Sequence, residues 1–439
     1  MNQFKDYNSK VKWSTFILIS IFTCSSWICA TSIWAQLPLI IYETDESWRL
    51  PSILTLLAQL AQIVPTIIYP ICKFYLPRKI LSNKLVIFSK LIVESAAIIS
   101  LVFFWNRKYF LFGQNRSIGL YIVNILFNIF GGMSTVSFLP FISEYFDKEY
   151  ITPIYIGEAF SSLVPSSLVF FQGISKNHEI CHNTTKMTKN DTYYTLEPVK
   201  PESNFSVSVF FTIICIFYMI SFVSFIIICM KLKPKIKESE KNTTDENQTF
   251  LNSSNENEKK FEEKFEIMYL LVIIFIISFF MYGILLGLQS YSTLAYSHLA
   301  FNLSINLGNL LLPMVIFFSI VSIESSLKTI TIQFLIGLLF SIWIVYVSFY
   351  SPCPPLVKHW SGESIIVIAW ILAECFFLRL RSVIATRLEK FGEKVLLILG
   401  WVTLLGQMCG GLVVYLLVEI FQIFHSRPSC TENLSYCNF

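Results

Sequence analysis

Long apolar runs separated by short polar breaks dominate this chain, and eleven of them reach the roughly 20 residues that a helix needs to cross a bilayer. They fall at roughly 13–35, 51–72, 85–105, 118–143, 154–174, 207–230, 267–290, 298–322, 329–350, 363–385 and 395–424. Within them, apolar and polar positions do not alternate as they would in a barrel strand. Lipid also offers backbone N–H and C=O groups no outside partner, so every run is predicted to be a helix. The expected fold class is an all-α polytopic membrane protein with about 11 transmembrane helices. The first run resembles the start of a signal peptide. Its length and its Trp27, Trp34 and Gln36 favour a retained span.

The one long polar break, 231–266, is rich in Lys, Glu, Asn and Ser and is read as a disordered cytoplasmic linker. It divides the chain into residues 1–230, a six-helix bundle with an outer loop at 175–206, and residues 267–439, a five-helix bundle with an outer tail. A 6+5 arrangement of this kind is major-facilitator-like or equilibrative-nucleoside-transporter-like, with two bundles able to rock about a central site. Composition agrees: 54% of the 439 residues are hydrophobic and only 14% are charged. No soluble catalytic domain is left over.

Cation placement sets the direction. With a cytoplasmic N-terminus, 22 of the 33 Lys and Arg fall inside and 10 outside, with Lys90 in a span. The C-terminus is then extracellular, and the net charge of +4 calls for no nucleic-acid partner. The sequons at Asn115, Asn183, Asn190, Asn204 and Asn433 land outside and are the expected glycosylation sites, whereas Asn242, Asn247 and Asn252 land inside. Of the eleven cysteines, Cys181, Cys353, Cys430 and Cys437 face the oxidising side. Cys353 with Cys430 or Cys437 is the favoured disulfide, and three connectivities remain open.

Chemistry-bearing motifs are scarce. His178-Glu179-Ile180-Cys181-His182 fits the H-E-x-x-H zinc pattern, but it lies in a polar outer loop without a third ligand and is read as coincidence. No Gly-rich phosphate loop, nucleophile elbow or paired CxxC motif occurs, so neither an enzyme nor an ATP-driven pump is expected, and no cofactor or metal. Charges inside spans are few. Lys90 and Glu94 are four apart and expected to neutralise each other, Glu158 lies near a helix N-terminus, Glu374 is the best candidate for a buried functional carboxylate, and Arg381 is expected to snorkel inward. Uncharged polar and aromatic groups are more plentiful in the spans: Trp27, Trp34, Gln36, Gln59, Gln62, Asn128, Gln289, Tyr291, His298, Asn306, Asn309 and Gln407. Such a set suits a flat, neutral, polar-edged solute.

Four blocks carry a family resemblance. They are Trp34-Ala-Gln-Leu-Pro-Leu with Glu46-Ser-Trp48-Arg-Leu-Pro51-Ser; Phe138-Leu-Pro-Phe141 through Tyr155-Ile-Gly157-Glu158 and Leu163-Val-Pro165 to Gln172-Gly173; Gln289-Ser-Tyr291-Ser with Ala295-Tyr296; and Ser351-Pro-Cys-Pro-Pro-Leu356 with His359-Trp360-Ser-Gly362-Glu363. In this order the chain resembles the animal riboflavin transporter family, solute carrier family 52, over nearly its full length. The resemblance implies an eleven-span plasma-membrane carrier that takes up riboflavin (vitamin B2) without ATP and without an obligatory sodium gradient. Riboflavin would be the transported substrate, with the lipid bilayer the other partner. Trp27, Thr31, Trp34 and Gln36, faced by Glu158 and Gln289, are the expected substrate-binding residues: tryptophans for stacking, the rest for hydrogen bonds. The family pattern has Asn where Thr31 stands, Glu where Gln36 stands and a small residue where Glu374 stands. The rival readings are a carrier for another planar heterocycle such as a nucleoside, and a cell-surface receptor that translocates nothing.

Overall fold

The computed structural model describes residues 12–75, 82–111, 113–173, 181–188, 191–198, 203–231, 253–321, 326–357 and 359–426. Its helices follow the apolar runs. They are α1 (Trp13–Thr23), α2 (Ile28–Ile40), α3 (Ser47–Tyr75), α4 (Asn83–Phe104), α5 (Ile118–Tyr145), α6 (Thr152–Gln172), α7 (Val207–Lys231), α8 (Glu262–Thr293), α9 (His298–Val321), α10 (Leu327–Phe349), α11 (Trp360–Glu389) and α12 (Lys394–Ile420). Among the described residues, eight helices are long and apolar enough to span a membrane, or nine when the bent pair α1 and α2 is taken as one span. α9 and α11 stand at the two other expected positions and are the helices carrying Asn302, Asn306 and Glu374. Length and apolarity alone therefore do not reach the expected count of eleven.

Three sequence expectations change. The first span, expected at roughly 13–35, runs to Ile40 and bends by 52° between α1 and α2. Its break, Cys24-Ser25-Ser26-Trp27, contains neither Pro nor Gly. Ser25 supplies a competing local hydrogen bond there, its Oγ donating to the Phe22 carbonyl at 2.7 Å. The expected linker 231–266 is helical from Ser253 onward, continuous with α8. Glu256 and Lys260 stand at the i,i+4 spacing that favours a helix over coil. Outside the helices, two antiparallel hairpins form, Tyr109–Leu111 with Gln114–Arg116, and Cys181–Thr188 with Asp191–Pro198 within the expected outer loop.

Packing is close wherever glycines allow it. Gly283 on α8 faces the backbone of Gly410 on α12, where an added Cβ would lie 2.5 Å from the Gly410 Cα. On α5, a Cβ at Gly131 would lie 2.7 Å from the Trp27 ring, so the indole rests on the bare backbone. Contacts also join the two halves of the chain: α3 packs on α8 and α12, α6 on α9, and α2 on α9.

Candidate functional site

The seam between the halves is where polar side chains concentrate. At the end of the bundle that carries the 41–46, 294–297 and 421–426 connections, it is knitted shut. Tyr42 Oη bonds the His298 ring, Ser290 Oγ donates to the Trp48 carbonyl at 2.6 Å, and Arg49 pairs with Glu419 at 3.5 Å. Trp48 packs edge-on against Tyr291, which in turn meets Phe424. Glu46 braces the same end within the first half, accepting from the Ser117 N–H at 2.7 Å and from Tyr121 Oη at 2.5 Å. In the adjoining loop, the Lys108 ammonium beside Asp45 holds that carboxyl below its ordinary range.

Just beneath this closure lie buried amides. Gln36, on the last turns of α2, donates through Nε2 to Gln172 Oε1 on α6 at 2.5 Å, and Gln172 passes its own N–H to the Phe205 carbonyl at 2.9 Å. Asn306 on α9 donates to Asn302 Oδ1 at 2.7 Å and reaches the Ala35 carbonyl across the seam at 3.5 Å. Gln289 on α8 adjoins Ser290, which is tied to Trp48. These amides are not fully used. Gln36 Oε1, Gln289 Oε1 and Asn306 Oδ1 are buried and accept no hydrogen bond among the described residues. Buried acceptors are nearly always satisfied, because leaving one bare costs about 1–3 kcal/mol. The three stand on α2, α8 and α9 and are acceptors without a donor among the described residues.

The remaining expected residues separate by level. Trp27 and Trp34 are each half-buried, Trp27 against Gly131 and both packed on the main core. Thr31 donates to backbone carbonyls, among them Ser161 on α6 at 2.8 Å, so its one proton serves helix packing. Glu158 is not beside Gln36. It sits on α6 fourteen residues before Gln172, about 21 Å at 1.5 Å per residue. Its facing cation is Arg381 of α11. Arg381, expected to snorkel inward, has its guanidinium 4.7 Å from the centre of the Tyr282 ring and bonds the Tyr282 hydroxyl. A desolvated guanidinium gains more over an aromatic face than a surface pair would offer. Glu374 is half-buried against Gly308 of α9, where an added Cβ would collide with its carboxylate.

Sequence reasoning missed Gln172 as Gln36's partner and Asn302 as Asn306's. The i,i+4 spacing of Asn302 and Asn306, repeated by Asn124 and Asn128, was the available signal. Asn128 Nδ2 donates to the Asn124 carbonyl at 2.8 Å, and Asn124 crosses to the Leu54 carbonyl at 3.0 Å. Gln59 donates across the seam to the Tyr282 carbonyl at 3.0 Å, while Gln62 donates to the Asn128 carbonyl within its own half. His178 and Glu179 lie outside the described residues, and His182 stands on a strand, where the one-turn spacing of a helical zinc pair does not exist. No cluster of metal-ligating side chains occurs among the described residues. Cys353 is disulfide-bonded; Cys430 and Cys437 lie outside the described residues.

Comparison with known proteins gives the family. The model of "Solute carrier family 52, riboflavin transporter" matches residues 11–426. "Riboflavin transporter 2" of Salmo salar is 27% identical, over 95% of this chain and 98% of its own length. "Solute carrier family 52, riboflavin transporter, member 3" of Bos taurus is also 27% identical with the same coverage. Among solved structures, a bacterial homologue of the human lysosomal transporter Spinster, in an inward-facing and occupied conformation, superposes with a TM-score of 0.51 at 14% identity. That match covers 92% of this chain and 82% of the other. It supports a major-facilitator-like helical fold.

Proposed function

The chain belongs to the solute carrier family 52 riboflavin transporters, and from that premise we propose that it carries riboflavin across the plasma membrane by alternating access of its two halves. The observation that carries this reading is the set of open amide oxygens on Gln36, Gln289 and Asn306. Riboflavin brings what they lack: an imide N–H and a chain of ribityl hydroxyls, both hydrogen-bond donors, on an otherwise flat apolar ring system. Half-buried Trp27 and Trp34 offer faces for that ring.

The closure formed by Tyr42–His298, Arg49–Glu419 and Ser290–Trp48 supports a resting state shut on the outer side, with the solute path leading inward. Uptake then requires those cross-half bonds to open and re-form, and no hydrolytic step. In this reading the N-terminus is cytoplasmic and the C-terminus extracellular. Exposed Asn115 on the first hairpin and exposed Asn204 after the second are accessible glycan acceptors. Cys353 ties the loop before α11 to Cys430 or Cys437 in the outer tail.

The test is uptake of labelled riboflavin into proteoliposomes of purified protein, with flavins and nucleosides as competitors and with sodium, proton and voltage gradients imposed separately. Saturable accumulation displaced by flavins but not by nucleosides is expected, at a rate indifferent to all three gradients. Binding without time-dependent accumulation overturns the carrier reading, and preferential displacement by nucleosides overturns the substrate.

A further inference from the structure

A second polar cluster lies behind the first span, away from the seam. Lys90 on α4 and Tyr218 on α7 are fully buried, and Glu94 is 1% exposed. Lys90 Nζ is 2.7 Å from Glu94 Oε2, and Tyr218 donates to the same oxygen at 2.7 Å. The rings of Phe138 and Tyr218 lie 5.8 and 5.7 Å from the ammonium. The i,i+4 pair alone would neutralise itself. Lys90 makes one further bond, to the Ser25 carbonyl at 2.7 Å.

Ser25 is the second residue of the break between α1 and α2. A break in a membrane helix frees backbone carbonyls in a place where water cannot satisfy them, so a donor from elsewhere must do so. Trp27 follows two residues later with φ −123° and ψ 0°, outside the helical region, and starts α2 in its new direction. The break thus decides where the Trp27 indole and the α2 amide Gln36 point. A buried ion pair is seldom retained for stability alone, since apolar residues of similar volume commonly match it.

Resting on the riboflavin reading above, we propose that Lys90 is a positioning residue for transport: its ammonium caps the Ser25 carbonyl, fixes the bend of the first span and so aims Trp27 and Gln36 at the solute. Glu94 and Tyr218 hold the ammonium in place from α4 and α7.

The test separates the cap from the ion pair. Wild type, Glu94→Gln and the double variant Lys90→Met/Glu94→Met are compared for thermal stability, KM for riboflavin at matched surface abundance, and equilibrium flavin binding. Glu94→Gln keeps the Ser25 donor, and its KM is expected to stay within about threefold of wild type. The double variant removes the charges together but leaves the Ser25 carbonyl and the Tyr218 hydroxyl without partners, so it is expected to melt below wild type while its KM rises about tenfold or more. A folded double variant with wild-type KM overturns the proposal. So does a tenfold loss of binding in Glu94→Gln, which decides the matter even where the double variant fails to fold. Absence of uptake by the wild type would instead overturn the riboflavin reading.

Discussion

Two polar clusters buried in the same bundle are built on opposite principles. Around Lys90, the ammonium and the carboxylate oxygen that it meets are both engaged, by Glu94, Ser25 and Tyr218. At the seam, the amides of Gln36, Gln289 and Asn306 leave an oxygen bare. Burial is equally complete in both, so exposure does not distinguish them. Saturation does. A saturated cluster has finished its work within the fold, whereas an unsaturated one holds acceptor capacity that only an incoming donor can use. In the proposed reading the first braces the bend in span one, and the second is the surface that would receive the solute.

Variants break or sharpen that contrast. The largest effect is expected from Glu94→Ala, which leaves Lys90 charged and uncompensated in the bundle and costs about 3–5 kcal/mol. A thermal melt of the purified protein reads this directly, and an unchanged melting temperature would remove the brace. Tyr218→Phe deletes one bond to the same carboxylate and should cost about 1.5–3 kcal/mol, again as stability. At the seam the sign reverses. Gln289→Leu removes a bare acceptor, so the melting temperature should hold or rise while riboflavin affinity drops about 3- to 10-fold, the equivalent of one hydrogen bond. Flavin fluorescence titration would detect this, and a loss of stability with affinity intact would show that the oxygen serves the fold. Thr31→Val is the mildest. Its proton already goes to backbone carbonyls, so a cost of about 1 kcal/mol in stability and less than a twofold change in affinity are expected.

How much was legible beforehand follows from what each signal depends on. The helices could be placed because hydropathy is additive along the chain and needs no neighbour. The Lys90–Glu94 pair was readable because i,i+4 geometry is local to one helix. The bend at Ser25 was not, since nothing in Cys24-Ser25-Ser26-Trp27 forbids a helix, and the donor that meets its carbonyl, Lys90, comes from 65 residues away. Nor could the grouping of Glu158 with Gln36 be checked, because both belong to the same pair of spans but stand at different depths. The contact of Arg381 with Tyr282 was not legible either, because the ring stands on another helix, α8.

The order of residues by itself determined that this is a helical membrane protein, and its four motif blocks pointed to the family. Both properties are written in single segments and survive without knowledge of what those segments touch. Only the tertiary structure decided which amides find partners and which do not. The satisfaction of a buried polar group depends on the rotation and depth of the neighbouring helix, and a one-residue turn of about 100° moves a side chain from the seam to the lipid.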